Sequence, residues 1–263
     1  MQIKEITCSS LLNKITEKSV LFNGDYTIDP YQNCEFGCKY CDSSQDDTVF
    51  IKTNAKEILF RELKQNKKGT IIIGSVHDPY QKAEKKYQIT RNLLKTIKDF
   101  NFPVHILTKS DLVLRDIDIL KKFSKCNVTI SMISLDKIIT NIFENNVPIP
   151  KTRLNTIEKL SNNGIKSGIA IIPIIPFITD DEIKKIIKKA VSSKASYVLH
   201  KHLELKGNQK FIFLDLLKNF NSGLIRKYEQ LYSDSYIPSD DYIKNIDKMF
   251  NIICEKYKIK ESI

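Results

Sequence analysis

The sequence predicts an α/β protein: a parallel sheet built of βα units, followed by a helical C-terminal extension. Three observations carry that expectation. Six short β-branched runs, at 25–29, 70–74, 103–107, 127–133, 166–173 and 196–204, alternate with longer amphipathic stretches, the pattern of a parallel sheet with crossover helices. No Gly/Ser-rich linker divides the alternating region. Beyond Gly207 the alternation stops and only helical periodicity follows. A core domain at 1–206 and a packed extension at 207–263 are therefore expected. Periodicity alone fits an open sheet and a partial (β/α) barrel equally well.

The elements follow in order. Helical stretches are predicted at 53–67, 81–100, 111–124, 137–163 and 180–194. In the fourth, Leu154, Ile157 and Leu160 recur at helical spacing, and Asn163-Gly164 supplies a left-handed stop. In the fifth, Asp180, Asp181 and Glu182 begin the helix and lysines 184, 185, 188 and 189 fill its later turns, as the helix dipole favours. The extension reads as three helices, at 209–220, 224–232 and 240–257.

Composition narrows the class. The 263 residues are 41% hydrophobic and 28% charged, enough to build a core and unlike a disordered chain. The longest apolar stretch, 169–178, holds Pro173 and Pro176 and is too short and broken to span a bilayer, so no membrane partner is expected. No signal-peptide pattern opens the chain, which predicts a cytoplasmic, unprocessed protein. The formal charge is +11, yet only five of the 42 basic residues are arginine. Nucleic-acid surfaces usually cluster arginine as well as lysine, so this charge fits a solvated lysine-rich surface as well as a polyanion partner.

Cysteine placement says more. Cys34, Cys38 and Cys41 lie within eight residues, whereas Cys8, Cys126 and Cys254 are solitary. A cluster of this kind in a cytoplasmic chain points to metal or redox chemistry rather than disulfides. It follows the first strand directly, which puts the thiols at the ligand-binding edge of an α/β sheet. Three thiolates can hold three irons of a cubane and leave the fourth open, since a conventional [4Fe–4S] site uses four cysteines. Gly37 allows a tight turn, and Phe36 and Tyr40 are placed to shield the cluster. Two other readings stay open on these residues: a zinc site with His77, Asp42 or Cys126 as fourth ligand, and buried cysteines that bind nothing. Asp42, directly after the last cysteine, and His77, the side chain most easily tuned near neutral pH, are the candidates for catalysis.

The CxxxCxxC spacing, with an aromatic residue before the last cysteine and a strand before the first, resembles the radical S-adenosylmethionine (SAM) superfamily. Further stretches resemble its spore photoproduct lyase-like, or DNA repair photolyase-like, branch: 29–41, 78–84, 107–110 with 114–116, 143–144, 150–154, 227–232 and Tyr242. The resemblance implies a partial (β/α)6 TIM-like barrel of the radical SAM type, with a [4Fe–4S] cluster on Cys34, Cys38 and Cys41 and SAM at its C-terminal mouth. The open iron would be chelated by the methionine amino and carboxylate groups of SAM. One electron then cleaves the sulfonium bond, giving methionine and a 5′-deoxyadenosyl radical that takes hydrogen from substrate. An electron donor such as ferredoxin or flavodoxin is the implied partner, with DNA or RNA the favoured substrate class and a peptide or small molecule left open. The alternative of another class is a zinc-stabilised nucleic-acid-binding module without radical chemistry.

The resemblance also implies roles. Tyr40, Gly74 and Ser75 would face the cofactors, with the end of the second strand against the SAM amino group; a strand-end glycine suits close backbone approach. Lys109 would meet the SAM carboxylate, and Ser131 its ribose or carboxylate. Glu144 and Arg153 match family positions near SAM or substrate, against which stands an ordinary structural ion pair. Two departures matter. Spore photoproduct lyases have a hydrogen-donating cysteine where this chain has Ser75, and a tyrosine where it has Asp42. An O–H bond is much harder to break homolytically than S–H, so repair of the spore thymine dimer by the known relay is not expected.

Overall fold

The computed structural model describes residues 1–16, 21–41 and 47–263. In chain order its strands and helices are β1 (Gln2–Ile6), β2 (Asn13–Lys14), β3 (Tyr26–Ile28), β4 (Tyr31–Gln32), β5 (Thr48–Lys52), α1 (Ala55–Gln65), β6 (Ile71–Ile73), α2 (Glu84–Tyr87), α3 (Ile89–Asp99), β7 (Val104–Thr108), α4 (Ile117–Leu120) and β8 (Cys126–Ser131). There follow α5 (Lys137–Phe143), α6 (Pro150–Asn162), β9 (Lys166–Ile174), α7 (Ile183–Ser192), β10 (Val198–His202), α8 (Asn208–Asn221), α9 (Ile225–Tyr232) and α10 (Asp240–Tyr257).

Strands β3, β6, β7, β8, β9 and β10 pair in that order, all parallel. They are the six strands read from the sequence. β2 adds antiparallel to β3 at one edge, and β10 is the other edge. The sheet is a partial (β/α)6 barrel rather than a closed one. The strands are buried on both faces: all three residues of β6 are isoleucine and all are buried. Such runs are the mark of a parallel sheet sandwiched between helices and barrel interior. Helix α7 shows the matching half of the pattern, with Ile183, Ile186, Ile187 and Ala190 buried on one stripe.

Three helical expectations needed correction. The predicted 137–163 helix is two helices, α5 and α6, parted by a segment containing Pro148 and with Pro150 at the first turn of α6. Proline has no N–H to give a preceding turn, so it starts a helix rather than continuing one. The predicted 81–100 helix breaks at Gln88, whose φ is +52°. There the Glu84 carboxylate accepts from the N–H groups of Thr90 (2.9 Å) and Arg91 (3.2 Å) and so caps α3. The 111–124 stretch opens as a 3-10 turn over Asp111–Asp116 before α4. The stop after α6 holds as read, with Gly164 at φ +76°.

A second sheet, β1-β5-β4, was not anticipated. Four of the five β1 residues are exposed, with Ile6 half-buried, so no buried alternation marks that strand. The three helices of the extension form where expected. On α10, Ile246, Phe250, Ile253 and Cys254 join the main core beside α7. α8 and α9 close over the C-terminal end through a second cluster that includes Phe213, Leu217, Tyr228 and Tyr232. Tyr228 and Tyr232 donate hydrogen bonds to the Pro176 and Leu203 carbonyls at 2.7 and 2.9 Å. Among the described residues no helix is long and apolar enough to cross a membrane.

Candidate active site

Side chains alternate along a strand, so every second residue of each barrel strand faces inward. His105, Leu107 and Lys109 form one such series, and Thr129 with Ser131 another. The lower layer is closed: His105 Nε2 meets Thr129 Oγ1 at 2.7 Å, and that hydroxyl meets the Tyr197 hydroxyl at 2.7 Å. Above it opens a cavity of about 320 Å³, within the range of small-molecule sites. Its walls include Cys34, Cys38, Cys41, Tyr40, Gly74, Ser75, Asp78, Lys109, Ser131, Ile172, Lys201, His202 and Gln209. Five of the six parallel strands present residues to it at or just beyond their C-terminal ends; β3 contributes through the cysteine loop that follows it.

The cysteine loop is held from both sides. Asn33 and Gly37 both sit at φ +64°, which turns the backbone back on itself. On one flank Gln81 accepts from Glu35 N–H at 2.9 Å and donates to the Asn33 carbonyl at 3.1 Å. On the other, Cys38 bridges Glu144, Lys39 N–H donates to the Phe143 carbonyl and Asn146 N–H to the Phe36 carbonyl. Cys34 and Cys38 are buried and Cys41 half-buried, with Phe36 against them. Burial, with the Asp78 charge adding to it, pushes the Cys34 thiol up to about 12, and burial pushes Cys38 up as well. A positive metal centre is the counter-charge that brings such thiols to the thiolate form.

The donor set discriminates between metals. Four ligands around zinc at bond lengths near 2.3 Å lie about 3.8 Å apart. Among the described residues the three thiols are not a group of ligand atoms all within 4.8 Å of one another, and neither is any combination of them with His77 or Cys126. The arrangement fits separate irons of a larger cluster better than a single zinc ion. Cys126 lies on β8, away from the cavity walls.

Behind the thiols sits a buried charge cluster. Glu144 and Arg153 have fully buried side chains and pair at 2.6 Å. The Tyr40 hydroxyl donates to Glu144, and Lys109 Nζ lies 3.9 Å from it. Burial alone would raise the Glu144 carboxyl, but the charges of Arg153 and Lys109, with hydrogen bonds from Arg153 and Tyr40, hold it below its ordinary value. Burial likewise opposes charge on Lys109, yet Cys38, Glu144 and Asp78 outweigh it and keep the ammonium protonated. Asp78 orders the strand end: it accepts from the Thr108 hydroxyl, Lys109 N–H and Tyr80 N–H at 2.7, 2.7 and 2.9 Å.

Thus Cys34, Cys38, Cys41, Tyr40, Gly74, Ser75, Lys109 and Ser131 meet at one cavity. Gly74 has φ +87°, and a Cβ there would fall 2.5 Å from the Leu107 carbonyl oxygen, so the backbone approach permits glycine alone. Arg153 is not on the cavity wall: its guanidinium donates to Glu144, to the Ser131 carbonyl (3.0 Å) and to the Pro148 carbonyl (2.7 Å). It supports the wall from behind. His77 is also outside the lining; its N–H donates to Asp29 Oδ1 at 3.2 Å and its ring nitrogen lies 3.9 Å from the same oxygen. Asp42 lies outside the described residues. Asp78, Lys201, His202 and Gln209 are lining residues that the sequence reading did not assign to the site. Inward parity with Leu199 marks Lys201; nothing local marks Gln209, whose amide reaches the Lys39 carbonyl from the extension.

Comparison with known proteins adds one family, two relatives and two solved structures. The family model described as Radical SAM superfamily matches residues 28–190. An uncharacterised protein of Methanocaldococcus jannaschii is 32% identical over 247 residues, covering 88% of this chain and 86% of that one. An uncharacterised protein of Mycobacterium tuberculosis is 26% identical, covering 89% and 75%. Among solved structures, a spore photoproduct lyase variant with bound AdoMet and dinucleoside spore photoproduct superposes with TM-score 0.71 at 14% identity, over 97% of this chain and 78% of that one. Streptococcus suis SuiB bound to S-adenosylmethionine gives TM-score 0.55 at 16% identity, over 76% and 47%. These likenesses establish a shared fold.

Proposed function

The chain belongs to the radical SAM superfamily, whose cofactors are a [4Fe–4S] cluster and S-adenosylmethionine, and from that premise we propose that it is an enzyme that abstracts hydrogen from a nucleic-acid substrate. When bound, the cofactor pair supplies one-electron cleavage of the sulfonium and a 5′-deoxyadenosyl radical. The observation that carries the reading is the meeting of Cys34, Cys38 and Cys41 with five strand ends at one cavity. In it the three thiolates hold the cluster, and Lys109, kept protonated at the wall, faces the SAM carboxylate. Gly74 lets the amino group of SAM approach the backbone, and Ser131 offers its hydroxyl to the ribose or carboxylate. Phe36 and the hydroxyl-tethered Tyr40 exclude water from the reacting atoms.

A nucleic acid is supported by the net charge of +11 and by the one positive charge left over where Lys201 and Lys206, on the cavity wall, share Glu204 at 2.6 Å each. Ser75 on the wall has no S–H to give back, so the reaction differs from the cysteine relay of spore photoproduct lyases. Anaerobic reconstitution tests the cofactor part: about four irons per chain are expected, and one zinc with no iron uptake contradicts it. For the substrate part, binding to DNA or RNA is expected to weaken steeply with added salt. Absent or salt-insensitive binding overturns the nucleic-acid assignment alone.

A further inference from the structure

Away from the cysteine loop, two imidazoles and a carboxylate converge between the last barrel strand and the last helix. His200 and His202 are alternate residues of β10 and so share a face. Pairing with β9 shifts register between them, an irregularity of the kind that re-aims side chains. Asp247 comes from α10. Nε2 of His200 lies 2.9 Å, and Nε2 of His202 2.8 Å, from the same Asp247 oxygen, Oδ1. One potential ligand atom from each residue falls within 4.8 Å of the other two, the one such group of three among the described residues.

We propose that His200, His202 and Asp247 form a binding site for a divalent transition-metal ion, with zinc the best match, distinct from the cysteine site. Two imidazoles and one carboxylate are a zinc donor set, whereas magnesium and calcium prefer all-oxygen shells. Zinc ligands at 2.0–2.1 Å in a tetrahedron stand about 3.3 Å apart, so the two N···O gaps need to open by about half an ångström. The Asp247 side chain, 43% exposed, has room to make that shift. Both imidazoles converge through Nε2 on a single carboxylate oxygen, Oδ1, so one ion between the three atoms would meet all of them with a small outward shift of the carboxylate. The first coordination sphere is also sheltered. The His200 ring packs on Phe250 with centroids 3.9 Å apart, and Tyr242 stands 6.2 Å from His202. Three protein ligands leave a fourth position for water or a substrate atom. The ion would pin α10 to β10.

Cobalt(II) is the probe, titrated into the cluster-loaded protein so that the thiols are occupied. The expected result is one cobalt per chain, with visible ligand-field bands and no added thiolate charge-transfer absorption in the difference spectrum against cobalt-free, cluster-loaded protein, and displacement by zinc. His200→Gln and Asp247→Asn, assayed separately, are each expected to weaken binding at least 100-fold. Zinc is expected to raise the melting temperature of the unmodified protein, as ligand linkage requires, and of neither variant. No saturable binding to the unmodified protein would overturn the proposal. So would equal affinity in either folded variant, or thiolate charge-transfer bands that place the cobalt on cysteine.

Discussion

Arg153→Met removes one half of a fully buried ion pair. The guanidinium is lost 2.6 Å from Glu144, and the Ser131 and Pro148 carbonyls lose donors at 3.0 and 2.7 Å. Breaking a buried pair from one side costs about 3–5 kcal/mol, because the remaining charge is left without compensation. Lys109, 3.9 Å from the same carboxylate, retains part of the compensation, so the lower end, about 3 kcal/mol, is expected. That is a large share of the roughly 5–15 kcal/mol a domain has, and corresponds to a melting temperature lower by about 10 °C. The companion variant Glu144→Gln/Arg153→Met removes both charges while leaving an acceptor for Tyr40. It is expected to recover about 2 kcal/mol relative to the single variant. Denaturant unfolding of the four proteins in the cycle gives both numbers. A single variant within 1 kcal/mol of the parent would refute the reasoning. So would a double variant no more stable than the sum of its parts.

Two further predictions follow from the same geometry. Lys109→Met keeps Glu144 paired with Arg153, so the fold should persist while SAM affinity falls about 10–100-fold, the worth of a hydrogen bond to a charged group; equilibrium dialysis with unchanged affinity would remove Lys109 from the site. His105, buried in the barrel floor, has its pKa lowered by burial to about 4. Its folded value lies below the unfolded 6.5, so its contribution is fully present above pH 6.5 and is lost as pH falls toward 4. The loss amounts to at most about 3 kcal/mol. Urea titrations at pH 7 and 4.5 should show this loss in the parent and not in His105→Asn; parallel pH slopes would contradict it.

What could be read from the sequence was whatever repeats locally. Six buried β-branched runs announced six strands, and the Cys34–Cys38–Cys41 spacing pointed to a metal or redox site while leaving iron–sulfur and zinc both open. Lys109 and Ser131 were expected from the family resemblance, and both line the cavity. Contacts across long separations left no such trace. Arg153 matched a family position, but only the fold reveals that its guanidinium is spent on Glu144 and two carbonyls. Asp247 meets its histidines from more than forty residues away, and Gln209 reaches the cysteine loop across 170 residues. The split of 137–163 at Pro148 and Pro150 was legible in principle, since proline interrupts a helix from local chemistry alone. The exposed β1 strand lacked the one signal, buried alternation, that marks a strand.

The central claim is that three cysteines at the mouth of a six-strand partial barrel support reductive cleavage of SAM. Its most direct measurement is 5′-deoxyadenosine release by the anaerobically reconstituted protein, with and without a low-potential reductant, alongside Cys38→Ala. The account predicts release that requires the reductant and is abolished in the variant. Absence of 5′-deoxyadenosine from protein loaded with about four irons per chain, or equal release by Cys38→Ala, would contradict it.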